Sequence, residues 1–236
     1  MEGFVYDSNL INKDPEYIEK CSEYMKYLEQ HIGNVIDAFE TYFKDRMDYV
    51  FENNSAETNK QIAKIMDEKV RNHDSSKYSD DEFNQYRMNF YPTTMELERL
   101  KEDEAYNQEV MEIIQQSFIH HVRVNSHHAE FYHYNYTEST DGLQITAIHP
   151  YNEYSQEEVD MYICDVIEMI CDWISMSRFV RDIDCYIEWY ASDESKEERT
   201  AMSTDTQILV ETITSKLFPD EYAASNSNVW ILKNEE

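Results

Sequence analysis

From Asp14 onward the chain repeats apolar residues at steps of three and four: Ile18, Cys21, Tyr24 or Met25, Leu28, Ile32, Val35, Phe39 and Phe43. Such a period places them on one face of an α-helix. Asp14-Pro15 supplies a cap residue followed by a proline at the first helical position. A helix from about residue 15 to about 48 follows, with a weak point at Gly33. A second helical period covers about 55 to 72 and stops at the cluster HDSSKYS. Ser79-Asp80-Asp81-Glu82 and Thr93-Thr94-Met95-Glu96 both have the form of a capping box, in which a hydroxyl and a glutamate each satisfy the other's backbone N–H. The first predicts a short helix, and the second a helical stretch reaching His128 with a break near 103–107.

Residues 131–155 lose the period and contain Asp141-Gly142, which predicts an irregular loop with a short hairpin. Ser155-Gln156-Glu157-Glu158 is a further capping box, opening a strongly apolar helix that runs to about residue 190. A last helix over 204–218 then precedes a mobile polar tail. With 3 Gly and 4 Pro in 236 residues, few turns can be built. The expected fold is therefore all-α, a bundle of long helices forming a single domain over 1–236.

Charge narrows the partners. The chain carries 20 Lys+Arg against 49 Asp+Glu, a formal net of -29. With no run of Lys or Arg, such a surface repels nucleic-acid polymers. A small anion remains acceptable wherever a bound divalent cation inverts the local field. The first residues show no basic region followed by an apolar run, and no stretch approaches 18 apolar residues, so neither a secretory signal nor a membrane span is expected. Cys21, Cys164, Cys171 and Cys185 form no paired framework and read as small hydrophobes in a reducing compartment, the cytoplasm.

Against that acidic background, SFIHHVRVNSHHAE (117–130) holds four of the eight histidines in two pairs seven residues apart. At about 100° per residue, His121 lies about 20° and His128 about 0° from Val110, in the middle of the apolar stripe, whereas His120 and His127 fall together near 270°, at its edge. Burying two imidazoles without a partner is costly, since each carries polar nitrogens. A metal ion supplies one. His31 interrupts the apolar face of the first helix. His73-Asp74 ends the second. Asp172 sits in the apolar segment VDMYICDVIEMICDW, which also holds Asp165 and Glu168, read as a surface face. In order, the candidate ligands are His31, His73, Asp74, His121 (or His120), His128 (or His127) and Asp172. Mixed nitrogen and oxygen donors suit Mn(II) or Fe(II) best, with Zn(II), Ni(II) or Mg(II) as alternatives. More than four ligands point to two ions.

This order, H…HD…H…H…D, resembles the HD-domain superfamily of all-helical metalloproteins. HDSSK (His73 to Lys77) is similar to the HDxxK form of the doublet, and Cys171-Asp172-Trp173 stands where the closing Asp is expected. HDxSK together with HHxxxNxHH also resembles an uncharacterised helical family of phages and gut bacteria, which would place the protein in a host cytoplasm. The resemblance implies a metal-dependent phosphohydrolase acting on a nucleotide or other small phosphorylated substrate. In it Lys77 and Arg123 would neutralise phosphate, and Asn125 would orient a water or a ligand histidine. The same ligand order also serves di-iron oxygenases. A non-catalytic protein that sequesters a nucleotide or binds a host protein is the remaining alternative.

Overall fold

A computed structural model describes residues 14–134 and 159–234. The fold is all-α. Among the described residues there is no strand, only an isolated parallel bridge between Val159 and Met202. The expected hairpin near Asp141-Gly142 and the capping box at 155–158 lie outside the described residues.

The chain divides into two compact units, one comprising residues 1–30 and 75–121, the other 31–74 and 122–236. In the first unit, α1 (Pro15–Tyr42) opens as expected: the Asp14 carboxylate accepts from the Glu16 amide at 2.9 Å. Its early turns bury Tyr24 and Leu28 with Tyr86. Further on come α4 (Phe83–Phe90), α5 (Thr94–Glu102) and most of α6 (Glu104–Val124). Thr93 and Glu96 form the predicted capping box. The Ser79 box is not realised: α4 starts only at Phe83, Glu82 stands at its N-cap without a side-chain cap bond, and the Glu82 carboxylate faces the core instead.

The second unit holds the larger core. It takes α1 from His31, then α2 (Met47–Val50), α3 (Ala56–Arg71), α7 (Ala129–Tyr134), α8 (Ile163–Arg181), α9 (Ile187–Tyr190), α10 (Lys196–Ala201), α11 (Thr204–Leu217), α12 (Pro219–Ala224) and α13 (Ile231–Asn234). α1 passes through Gly33 unbroken and stops at Tyr42, short of the expected end near residue 48. The chain turns there so that Phe43, Met47 and Val50 still reach the core: the apolar period survives, and the helix does not. α3 packs against α8, and α11 packs against α8 as well.

Two further expectations are corrected. The helix predicted to reach about 190 ends at Arg181, where Asp182 takes the left-handed conformation (φ 55°) and Arg178 folds back onto Asp184 at 2.5 and 3.2 Å. The tail is not left loose and polar. Trp230 is 1% exposed, stacks on Tyr190 with centroids 5.0 Å apart, and donates its indole N–H to Ser225 Oγ. One buried indole contributes about 1.5–3 kcal/mol, enough to hold a short polar segment down.

Candidate metal centre

α8 is apolar on most faces, yet Asp165, Glu168, Asp172 and Ser175 recur at steps of three and four and so share one face. That face is turned inward: Asp165, Glu168 and Ser175 are 7, 3 and 0% exposed. Reading Asp165 and Glu168 as a solvated face is therefore a correction. The i, i+3, i+7 spacing of the three carboxylates was the available signal, and the density of apolar neighbours concealed it.

His73 and Asp74 follow the last turn of α3, and Asp74 holds φ at 54°, a conformation that Asp and Asn tolerate better than other side chains. His31 faces them from α1 and Asp172 from α8. Nε2 of His31 lies 3.2 Å from Nε2 of His73, 3.3 Å from Asp74 Oδ2 and 3.2 Å from Asp172 Oδ1. His73 Nε2 lies 3.5 Å from Asp74 Oδ2 and 3.7 Å from Asp172 Oδ1. Ligand atoms around an ion with bonds of about 2.0–2.2 Å stand roughly 2.9–3.6 Å apart, depending on coordination number. The four atoms thus have close to the spacing of a coordination shell.

The outer ring nitrogens fix which lone pairs face inward. His73 Nδ1 donates to Glu168 Oε1 at 3.0 Å, and His31 Nδ1 lies 2.9 Å from Ser175 Oγ, whose hydroxyl donates to the His31 carbonyl. With the outer nitrogens so engaged, both Nε2 atoms turn towards each other and towards two carboxylates, an arrangement that calls for a cation. Asp172 Oδ1 itself is buried without a hydrogen bond of good geometry among the described residues. With no metal bound, a proton balances the cluster. Burial opposes charge on His73, but Asp74, Asp172 and Glu168 outweigh it and push its pKa up to about 10. Burial would raise the Asp172 carboxyl; the closeness and charge of His73, with the charge of His31, overcome this and hold it at about 2.

Asp74 also turns its second oxygen to another imidazole. His127 Nε2 is 3.6 Å from Asp74 Oδ1, and His127 Nδ1 is 3.6 Å from Glu168 Oε1. The His127 ring lies 4.4 Å from that of His73 and 4.2 Å from that of His128, centroid to centroid. The predicted orientation within this pair is reversed: His127 is 2% exposed and His128 only half-buried. α6 ends at Val124, so residues 125–128 form a turn and the helical wheel no longer applies to them. Asn125 takes part through its backbone, its carbonyl accepting from the His128 amide. Arg123 lies half-buried in the last turn of α6.

His120, His121 and Lys77 belong to the other unit. There Glu82, fully buried, accepts from His120 Nδ1 at 2.7 Å and from His121 Nδ1 at 2.9 Å. Burial would raise the Glu82 carboxyl, but these two bonds bring it below its usual range. Lys77 sits over the Tyr86 ring, 5.5 Å from its centre, and Tyr86 meets His121 edge-on. Of the predicted ligands, His31, His73, Asp74, His127 and Asp172 converge in the larger unit. Glu82 and Glu168, which orient histidines, were not predicted.

No helix among the described residues is long and apolar enough to cross a membrane. No curated protein and no solved structure matches the chain. A family model described as a family of unknown function, DUF5662, matches residues 20–216, and the chain belongs to that family.

Proposed function

We propose that the chain is a divalent-metal-dependent phosphohydrolase of the HD type, acting on a nucleotide or another small phosphorylated molecule. The observation that carries this reading is the convergence of His31 Nε2, His73 Nε2, Asp74 Oδ2 and Asp172 Oδ1, with five of their pairwise distances at 3.2–3.7 Å. The second Asp74 oxygen, beside His127, supports a bridging carboxylate and hence two ions. Two histidine nitrogens with two carboxylate oxygens suit Mn(II) or Fe(II), and Zn(II) also accepts such a set. Ions held there would supply Lewis-acid polarisation of a phosphoryl oxygen and a nucleophilic water near neutral pH.

The residues of the chain do the rest. His31 and His73 present fixed lone pairs because Ser175 and Glu168 occupy their outer nitrogens. Asp172, held at about 2, stays ionised over the whole physiological range. A formal net charge of -29 disfavours polymeric nucleic acid and leaves a small anion, drawn in locally by metal, as the fitting substrate.

The test is incubation of the full chain with Mn(II) and a nucleotide panel, in parallel with Fe(II), oxygen and polyols or phosphonates. Release of phosphate without oxygen uptake supports the hydrolase. Oxygen uptake coupled to product replaces it with the di-iron oxygenase reading. Intact nucleotide retained in native mass spectrometry, with no turnover, replaces it with the sequestering protein.

A further inference from the structure

We propose that Glu168 and Lys69 are positioning residues of the metal centre: one carboxylate backs both His73 and His127, and one ammonium locks that carboxylate in place. The inference rests on the metal-centre reading above and names the side chains that make the site rigid.

Glu168 Oε1 lies 3.0 Å from His73 Nδ1 and 3.6 Å from His127 Nδ1, while the Nε2 atoms of the same rings face the two oxygens of Asp74 at 3.5 and 3.6 Å. A single carboxylate therefore fixes the tautomer of His73 by a hydrogen bond and stands within ion-pair distance of His127, one candidate ligand on each side of Asp74. The other oxygen, Oε2, is ion-paired with Lys69 Nζ at 2.7 Å. Lys69 also pairs with Asp165 Oδ1 at 2.9 Å and donates to Ser126 Oγ at 2.9 Å. Its ammonium thus sits between two carboxylates and one hydroxyl.

The far end of the network is equally tied. Ser126 donates to Asp165 Oδ1 at 2.7 Å, and the Tyr132 hydroxyl donates to Asp165 Oδ2 while accepting from the Tyr162 amide at 2.9 Å. Ser126 precedes His127 in the turn after α6, so this network holds the turn from one side while Glu168 lies 3.6 Å from the His127 imidazole on the other. Lys69 lies one helical turn before His73, on the helix that delivers it. An ammonium half-buried beside two carboxylates contributes little net stability. Its placement is better explained by what it orients.

The test uses the full chain stripped with chelator and then titrated with Co(II), followed by visible absorption and by competition with a chromophoric chelator. Glu168→Gln keeps the side-chain shape but removes the charge and leaves one amide oxygen for two imidazoles. It is expected to weaken Co(II) binding about 10–100-fold and to change the Co(II) spectrum, while the metal-free melting temperature stays within a few degrees. Glu168→Asp should recover part of the affinity, and Lys69→Met should weaken it in the same direction. Should Glu168→Gln fail to fold, Lys69→Met carries the same test. Wild-type affinity and spectrum in the folded variants, or a lowered metal-free melting temperature with unchanged affinity, overturns the positioning role and leaves the metal centre standing. If the wild-type chain binds none of Co(II), Mn(II) and Fe(II), the metal centre itself is overturned and this inference with it.

Discussion

If the proposed centre takes a metal ion, the ion must displace a proton, and the surroundings of His73 set how strongly that proton is held. Burial disfavours the imidazolium, but Asp74, Asp172 and Glu168 together push its pKa up to about 10. Near neutral pH the ring is therefore protonated, and since Nδ1 is committed to Glu168, the proton to be lost sits on Nε2, the atom proposed to face the ion. Each pH unit is worth about 1.4 kcal/mol, so a proton held three units above pH 7 (10 − 7) costs metal binding about 4 kcal/mol at that pH. The apparent Kd for Mn(II) should fall about tenfold per pH unit, or about 100-fold between pH 6.5 and pH 8.5. Asp172, held at about 2, stays ionised over that window and adds no slope. Isothermal titration calorimetry in buffers of different ionisation enthalpy should count about one proton released with the first ion. A flat affinity over that range, or no proton released, would refute the assignment of His73. The metal-free protein runs the other way. A histidine raised on folding stabilises fully below its unfolded value of 6.5, and that stability is lost as pH rises through about 10.

Asp74 has two separable roles: Asp74→Asn should abolish metal binding yet tolerate φ 54°, whereas Asp74→Ala should abolish binding and lose about 1–2 kcal/mol more in urea denaturation, and equal stabilities would remove the strain argument. Glu198 accepts from the Trp173 indole, and burial, with the charges of Glu130 and Asp172, pushes its pKa up to about 8. A carboxyl raised on folding costs stability as pH climbs from its unfolded value of 4.5 to about 8, so Glu198→Gln should melt higher than wild type at pH 8 and match it near pH 4.5; parallel melting curves across that window would count against this. In the smaller unit, Arg87 is 0% exposed and pairs with Glu96 at 2.6 and 2.8 Å, so Arg87→Ala should cost about 3–5 kcal/mol in urea unfolding, and a loss below about 1 kcal/mol would show the pair to be dispensable.

Helix existence was largely legible in the chain, because helix starts are local chemistry. Asp14-Pro15, Thr93 with Glu96, and the apolar periods of α1, α3 and α11 each need only a few neighbouring residues, and each appears where expected. Helix ends were less legible. α1 stops at Tyr42 and α6 at Val124 without Gly or Pro at either point, because a turn there lets Phe43, Met47 and His127 reach interiors that a straight helix would carry them past. The wheel that pointed His128 inward assumed a helix that tertiary packing had already ended.

Composition and spacing alone thus determined an acidic all-α chain and named His31, His73, Asp74 and Asp172 as chemistry-bearing, since polar residues on apolar faces are visible in one dimension. Only the tertiary structure decided which atoms meet. It buried His127 and left His128 half-buried beside it, brought His120 and His121 to Glu82 in the other unit, and turned Glu168 from a supposed surface residue into the acceptor behind the His73 imidazole, 3.6 Å from that of His127. The physical reason is that a coordination shell of a few ångströms is assembled from side chains far apart in sequence, such as His31 and Asp172. Their convergence depends on how α1, the end of α3 and α8 pack, and a residue's local period does not contain that information.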